Sequence, residues 1–116
     1  MATRTPAAPD LLELLPSWEL HLRAERKSDS TLKTYGDGVR RFAEFCATHD
    51  LPVELERAPV RAFLADMLES GAAPATARSR LLSLKRFSIW LVDEGELDVD
   101  RIGSLTPPKL DTKVLE

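Results

Sequence analysis

Three observations predict an all-α fold, a four-helix bundle with flexible termini. Apolar residues recur at i, i+3, i+4 and i+7 in four separate stretches. Pro16, Pro59 and Pro74 each stand at the head of such a stretch, where a helix tolerates proline best. Two-residue alternation of the kind that builds strands is scarce. With 116 residues, 43% hydrophobic and 30% charged, the chain has the size and composition of one domain around one core. No apolar run approaches the roughly 20 residues of a membrane span, and no apolar stretch follows a basic start as it does in a secretory signal. The lone Cys46 excludes an internal disulfide, and no Cys/His cluster has zinc spacing. Neither metal nor cofactor nor membrane is expected, and a reducing cytoplasm fits.

Residues 1–10 are rich in Ala, Pro and Thr and read as disordered, with Asp10 and Glu13 able to cap a short turn. Because a proline inside a helix loses a hydrogen bond and clashes one turn back, helix 1 is placed from Pro16 to about Arg26, with Trp18 and Leu22 inward. Ser28 can cap helix 2 through Thr31, and this helix runs from about Asp29 to Thr48. Leu32, Tyr35, Val39, Phe42, Phe45 and Cys46 form its core stripe. The other side carries Ser30, Lys33, Thr34, Asp37, Arg40, Arg41 and Glu44. Gly36 and Gly38 each cost roughly 1 kcal/mol against alanine inside a helix. They mark close approach of a backbone, from another helix or a DNA strand, or else tolerated drift.

After a loop over residues 49–57, helix 3 runs from Pro59 to about Ser70, with Val60, Phe63, Leu64, Met67 and Leu68 inward and Gly71 at its end. Helix 4 begins at Pro74 and closes before Gly95. Projected at about 100° per residue, Ala77, Leu81, Leu84, Ser88 and Leu91 fall on its packing side. Ser79, Ser83 and Arg86 fall opposite, Arg78 and Lys85 on a flank, and Arg80 nearer the core; Phe87 and Trp90 cover the bundle's edge. From Arg101 the period is lost. Pro107-Pro108-Lys109 reads as extended linker, so that residues 11–105 form the domain and 106–116 lead onward.

The formal net charge is −3, which taken whole argues against a nucleic-acid binder. The distribution argues otherwise. Residues 74–91 hold Arg78, Arg80, Lys85 and Arg86 and no acid. The acids concentrate in residues 50–73 (Asp50, Glu54, Glu56, Asp66, Glu69) and 93–116 (Asp93, Glu94, Glu96, Asp98, Asp100, Asp111, Glu116). Electrostatic attraction acts over about 8–10 Å at ordinary salt, so the local patch governs, and a modest patch predicts weak binding. On helix 4, Arg78, Lys85 and Arg86 suit phosphate contacts, and Ser79 and Ser83 suit base edges.

The order Ser28-x-x-Thr31-Leu32-x-x-Tyr35, then Phe42-x-x-Phe45, resembles the second helix of the N-terminal SAM-like, core-binding domain of phage integrases and Xer-type tyrosine recombinases. Gly71-x-x-x-x-Thr76, Arg80-Leu81-x-x-Leu84-x-Arg86-Phe87-x-x-Trp90-Leu91 and Gly95 are similar to its fourth helix, and Pro108-Lys109-Leu110 to the linker that enters the catalytic domain. The resemblance covers roughly residues 12–110. It implies half of a clamp around double-stranded DNA near the strand-exchange site, in integration or recombination. Carried over by position, the DNA-facing residues are Thr31, Lys33, Thr34, Asp37, Arg40 and Arg41 from helix 2, and Thr76, Ser79, Arg80, Ser83 and Arg86 from helix 4. Implied partners are the catalytic domain of the same parent chain and other recombinase protomers on DNA. Departures are Ala73 where the family often has a serine cap, Asp37 with the wrong sign for phosphate, and Gly103 near a usual proline.

The family's chemistry needs a tyrosine nucleophile with arginines and histidines around a phosphate. The one tyrosine, Tyr35, lies on a core stripe, and His21 and His49 read as surface residues. The chain by itself is therefore expected to bind and position DNA rather than cut it, as a piece of a longer recombinase. Two other classes compete: a helical protein–protein module, and a small helix-turn-helix regulator using the short 71–74 connection. Basic sides of helices 2 and 4 on one surface would favour DNA; divergent basic sides and a dominant apolar patch would favour a protein partner.

Overall fold

The computed structural model describes residues 9–107. Four helices follow one another: α1 (Leu11–Ala24), α2 (Asp29–Thr48), α3 (Arg57–Glu69) and α4 (Pro74–Asp93). The bundle is all-α, as its apolar periods predict. Helix α4 packs most extensively on α2 and also meets α3, while α1 packs on α2 and reaches α4 through Trp18. No helix among the described residues is long and apolar enough to cross a membrane.

Helix α2 has the predicted limits, and its start is fixed as the sequence suggests: Thr31 N donates to Ser28 Oγ at 3.1 Å. Helix α4 starts on Pro74 with no side-chain cap from Ala73, so the proline ring's fixed φ sets its entry. All four helices end alike, with a residue of positive φ just past the last turn: Arg26, Asp50, Gly71 and Gly95. The following amide then turns back to the final turn, as in Lys27 N to Leu22 O at 3.0 Å and Glu96 N to Leu91 O at 2.8 Å.

Helix α1 corrects one expectation. It begins at Leu11, and Pro16 lies inside it. Asp10 Oδ1 accepts from Glu13 N at 3.2 Å, so the cap belongs to the helix itself. Leu11 and Leu15 are buried and hold the turn before the proline in the core. The amide that Pro16 lacks would have served the carbonyl of Leu12, an exposed residue whose oxygen water can satisfy. Helix α3 likewise starts at Arg57, two residues before Pro59. A proline at the third position gives up only an amide without an intrahelical partner. Leu68, expected inward, is exposed.

The centre of the core is aromatic. Trp18 of α1 stacks on Tyr35 of α2 at 5.5 Å and packs against Phe87 of α4 at 4.8 Å between ring centroids. Phe87 is fully buried and Trp90 nearly so, which moves both from the bundle's edge to its interior. Phe42 and Phe45 of α2 meet Phe63 of α3 on the opposite side.

The segment after α4 also differs from expectation. Although residues 101–107 have no helical period, Ile102 and Leu105 are buried in the main core. Asp100 organises the return: its Oδ1 accepts from Ser88 Oγ at 2.7 Å and from Ile102 N at 3.2 Å. Arg57 Nη2 reaches Ser104 Oγ at 3.0 Å and Arg101 pairs with Glu56 at 3.6 Å, tying this segment to the start of α3. Of the start expected to be disordered (residues 1–10), residues 1–8 lie outside the described residues, as does the Pro108-Lys109-Leu110 linker motif, while Asp10 is fixed as the cap of α1.

Helices α2 and α4 approach closely at Gly38, where an added Cβ would stand 2.6 Å from Ser83 Cβ on α4. Gly36 differs: an added Cβ would meet only the ends of the Arg40 and Glu19 side chains, at 2.8 Å. Gly38→Ala must force α2 and α4 apart and should cost about 1–3 kcal/mol. Gly36→Ala gains up to about 1 kcal/mol of helix propensity while the flexible ends shift, and should be near neutral. Urea unfolding of the two variants checks the contrast. Asp100→Ala leaves the buried Ser88 hydroxyl without its acceptor and should cost about 1–3 kcal/mol in the same assay.

Candidate nucleic-acid interface

The side chains expected at DNA divide into three groups. In the first, Thr34 and Asp37 of α2 share a cleft with Thr76, Ser79 and Arg80 of α4. The two helices therefore bring part of their expected faces together. Thr31 sits one turn earlier on α2, half-buried, its Oγ1 accepting from Ser28 Oγ at 3.0 Å. Arg80 is half-buried and points Nη1 at Met67 Sδ of α3, 3.4 Å away, in keeping with its place near the packing side.

The second group is the outer side of α4. Arg78 and Lys85 flank a shallow depression with Leu82 and Pro107, the last of the described residues. Arg86 is exposed and lines a separate cleft with Tyr35, Trp90 and Lys27, together with two acids, Glu25 and Asp93 at the end of α4. From Ala75 to Val92 there is no acidic side chain. Among the described residues neither Lys85 nor Arg86 has an ion-pair or hydrogen-bond partner.

The third group is electrostatically occupied. Lys33 Nζ lies 3.2 Å from Asp37 Oδ2. Arg40 donates to Glu19 Oε2 of α1 at 2.9 Å and lies 3.5 Å from Asp37 Oδ1. Gly36 leaves the space in which that bridge forms. Arg40 and Arg41 border the α1–α2 cleft together with Asp10, Glu19 and Glu44, rather than the cleft shared with α4. Exposed ion pairs of this kind add little stability, typically under about 1 kcal/mol. They do lower the free positive charge that α2 presents.

Ser83 requires a correction. Expected on the outward side of α4, it is fully buried. Its Oγ donates toward Ser79 O at 3.2 Å and Thr34 O at 3.4 Å. Opposite Gly38, it is part of the α2–α4 contact and not of the surface. The residues that take the outward position are Leu82 and Ile89, 43% and 49% exposed. A search for polar side chains at base edges passes over them, although a wider packing arc on α4 would have pointed to them.

Residues 14–95 match the family described as phage integrase, N-terminal SAM-like domain. The chain belongs to this family. Among curated proteins, the tyrosine recombinase XerC of Methylobacterium nodulans is 31% identical over 114 residues, covering 92% of this chain and 35% of the relative. XerC of Nitrobacter winogradskyi is 31% identical over 116 residues, covering 93% of this chain and 36% of its own. Tyrosine recombinase XerD of Shewanella oneidensis is 31% identical over 84 residues, 72% of this chain and 28% of the relative. The chain thus spans about a third of the length of the relatives it matches. No solved structure matches it.

Within this SAM-like domain Tyr35 is a packing residue, flat against Trp18 with 3° between the rings. His21 pairs with Glu25 on the surface at 3.3 Å, and His49 Nδ1 lies 2.9 Å from Phe45 O, so each histidine is engaged at the end of its own helix. The burial of Ser83 makes a direct forecast. Ser83→Ala should act on stability, by about 1 kcal/mol for the missing hydrogen bond, and leave the surface charge and shape of the SAM-like domain unchanged. Chemical denaturation together with an NMR fingerprint of the α4 outer residues checks both halves.

Proposed function

We propose that this chain is the DNA-gripping N-terminal domain of a site-specific tyrosine recombinase of the XerC kind, serving DNA integration or recombination. In this reading residues 11–105 form the binding module and 106–116 lead to a catalytic domain that closes on the other side of the duplex. Helices α2 and α4 hold double-stranded DNA near the strand-exchange site; further protomers join on the same DNA. The nucleophilic tyrosine and its supporting arginines and histidines belong to the catalytic domain. The chain itself positions DNA, in the cytoplasm.

One observation carries the proposal: from Ala75 to Val92 α4 has no acid, and its Lys85 and Arg86, which line separate clefts, are unpaired among the described residues. Unpaired cations on an exposed helix release counterions from DNA on contact, which is the main source of non-specific affinity. The family match and the XerC and XerD relatives support it independently. The position of Pro107, next to Arg78 and Lys85, supports the clamp, because whatever follows starts beside the same side of α4.

The test is the salt dependence of duplex binding, read by fluorescence anisotropy. Binding should be weak and steeply salt-dependent. Lys85→Ala and Arg86→Ala should each reduce the slope of log affinity against log salt by about 0.9. Arg40→Ala should change it least, because its charge is already answered by Glu19 and Asp37. Asp37→Asn removes a carboxylate beside Thr34 and frees Lys33, and should raise affinity. A slope unaffected by Lys85 and Arg86 would falsify the proposed face.

A further inference from the structure

Resting on the DNA-binding reading above, the geometry points to α4 as an apolar reader: we infer that Leu82 and Ile89 contact the C5-methyl groups of thymine in the major groove. Both side chains are large, apolar and about half exposed, on the outward side of α4 within the acid-free stretch from Ala75 to Val92. Arg78 and Lys85 border Leu82, and Arg86 lies beside Ile89 in a cleft lined also by Glu25 and Asp93. A helix that rests in a groove puts its crest toward the base edges and its flanks toward the two phosphate walls. Cations on the flanks and hydrocarbon at the crest therefore match phosphate outside and methyl groups inside.

The polar alternative is weakened by the structure itself. Ser83, the residue best placed by spacing to hydrogen-bond a base, has its hydroxyl turned onto Ser79 O and Thr34 O inside the bundle. Hydrogen-bonding readout from this helix falls to Ser79 and Thr76, both half-buried at the cleft with α2. The thymine methyl is the apolar feature of the major-groove edge, and apolar side chains recognise it by contact. Leu82 and Ile89 are seven residues apart, about 10 Å along the helix, or about three base-pair steps. The two contacts belong to separate positions of one site.

The experiment compares duplexes of one mixed sequence prepared with dTTP or with dUTP, which differ only in the methyl groups. Affinity of the intact chain is measured for both at low salt. The dUTP duplex should bind about fourfold more weakly for each thymine methyl that the helix covers, from about 0.8 kcal/mol per buried methyl-sized group. The Leu82→Ala, Ile89→Ala double variant, altered only at exposed positions, should bind the two duplexes alike and keep its salt slope. Equal affinity of the unaltered chain for both duplexes, with steep salt dependence intact, overturns this inference and leaves the electrostatic reading standing. Absence of salt-dependent binding to either duplex overturns both. A concentration-dependent dimer in sedimentation that the double variant abolishes, without any effect of uracil, assigns the crest to a second copy of the chain and also overturns it.

Discussion

The fold turns on the place where α2 and α4 touch at Gly38 and Ser83. A glycine without a side chain faces a serine that is fully buried, and an added Cβ would stand only 2.6 Å from the serine's own. The serine hydroxyl is satisfied by carbonyls of both helices, Thr34 O and Ser79 O, so the approach leaves the buried hydroxyl paired. One turn along α4, Phe87 meets Trp18, which stacks on Tyr35. The crossing thus sets the distance at which the aromatic core closes. It also sets the width of the cleft that Thr34 and Asp37 share with Thr76 and Ser79. A bulkier pair at this crossing would spread the core and the surface together.

What can be read from the sequence follows from how many neighbours each helix has. Helix α2 is legible to the residue, because its start is capped by Ser28 and its end coincides with the end of its apolar stripe. Helix α4 is legible in extent but not in orientation. Projection onto a single inward side assumes one packing partner. This helix has α2, α3 and the returning segment around Ile102, and its buried arc widens to include Ser83, Phe87 and Trp90. Gly38 carries the signal for that second partner, and of its alternative readings helix approach is the one the structure bears out. Pro16 misleads for a different reason: its cost depends on whether the stranded carbonyl reaches water, and residue 12 is exposed. Ile102 and Leu105 are hidden because a non-periodic segment anchored by one carboxylate leaves no pattern to detect.

Charge shows the same divergence between composition and structure. Counted along the sequence, α2 and α4 offer similar numbers of cations. Counted as unpaired cations among the described residues, α2 keeps Arg41 and α4 keeps Lys85 and Arg86. Lys33 and Arg40 face Asp37, and Arg40 also holds Glu19 across the α1–α2 contact. The pairings of Asp37 with Lys33 and Arg40 are local, at i−4 and i+3, and open to inspection in the sequence. The Glu19 bridge depends on tertiary placement, and Gly36 makes the room for it. In α4 the acids begin only at Asp93, after the exposed cations. A net charge of −3 is therefore compatible with cations gathered on α4 between Arg78 and Arg86, although Glu25 and Asp93 share the Arg86 cleft.

This asymmetry assigns different work to the two helices in the proposed clamp. Helix α2 commits Lys33 and Arg40 to ion pairs and its apolar residues to three neighbours, leaving Arg41 unpaired among the described residues on the α1 side; in the proposal its role toward DNA is to hold α4 at a fixed angle and to offer the Thr34 side of the shared cleft. Helix α4 keeps free cations and an apolar crest at the surface, and the chain passes beside it at Pro107. In the proposed clamp, a downstream domain tethered there would meet a duplex already seated on α4, and the entropic cost of closure would grow only with the logarithm of tether length. The buried returns of Ile102 and Leu105 matter here as much as any cation. By tying the tail to the core through Asp100, they hold the chain at Pro107 fixed relative to the outer side of α4, which in the proposed clamp is the side that would meet the duplex.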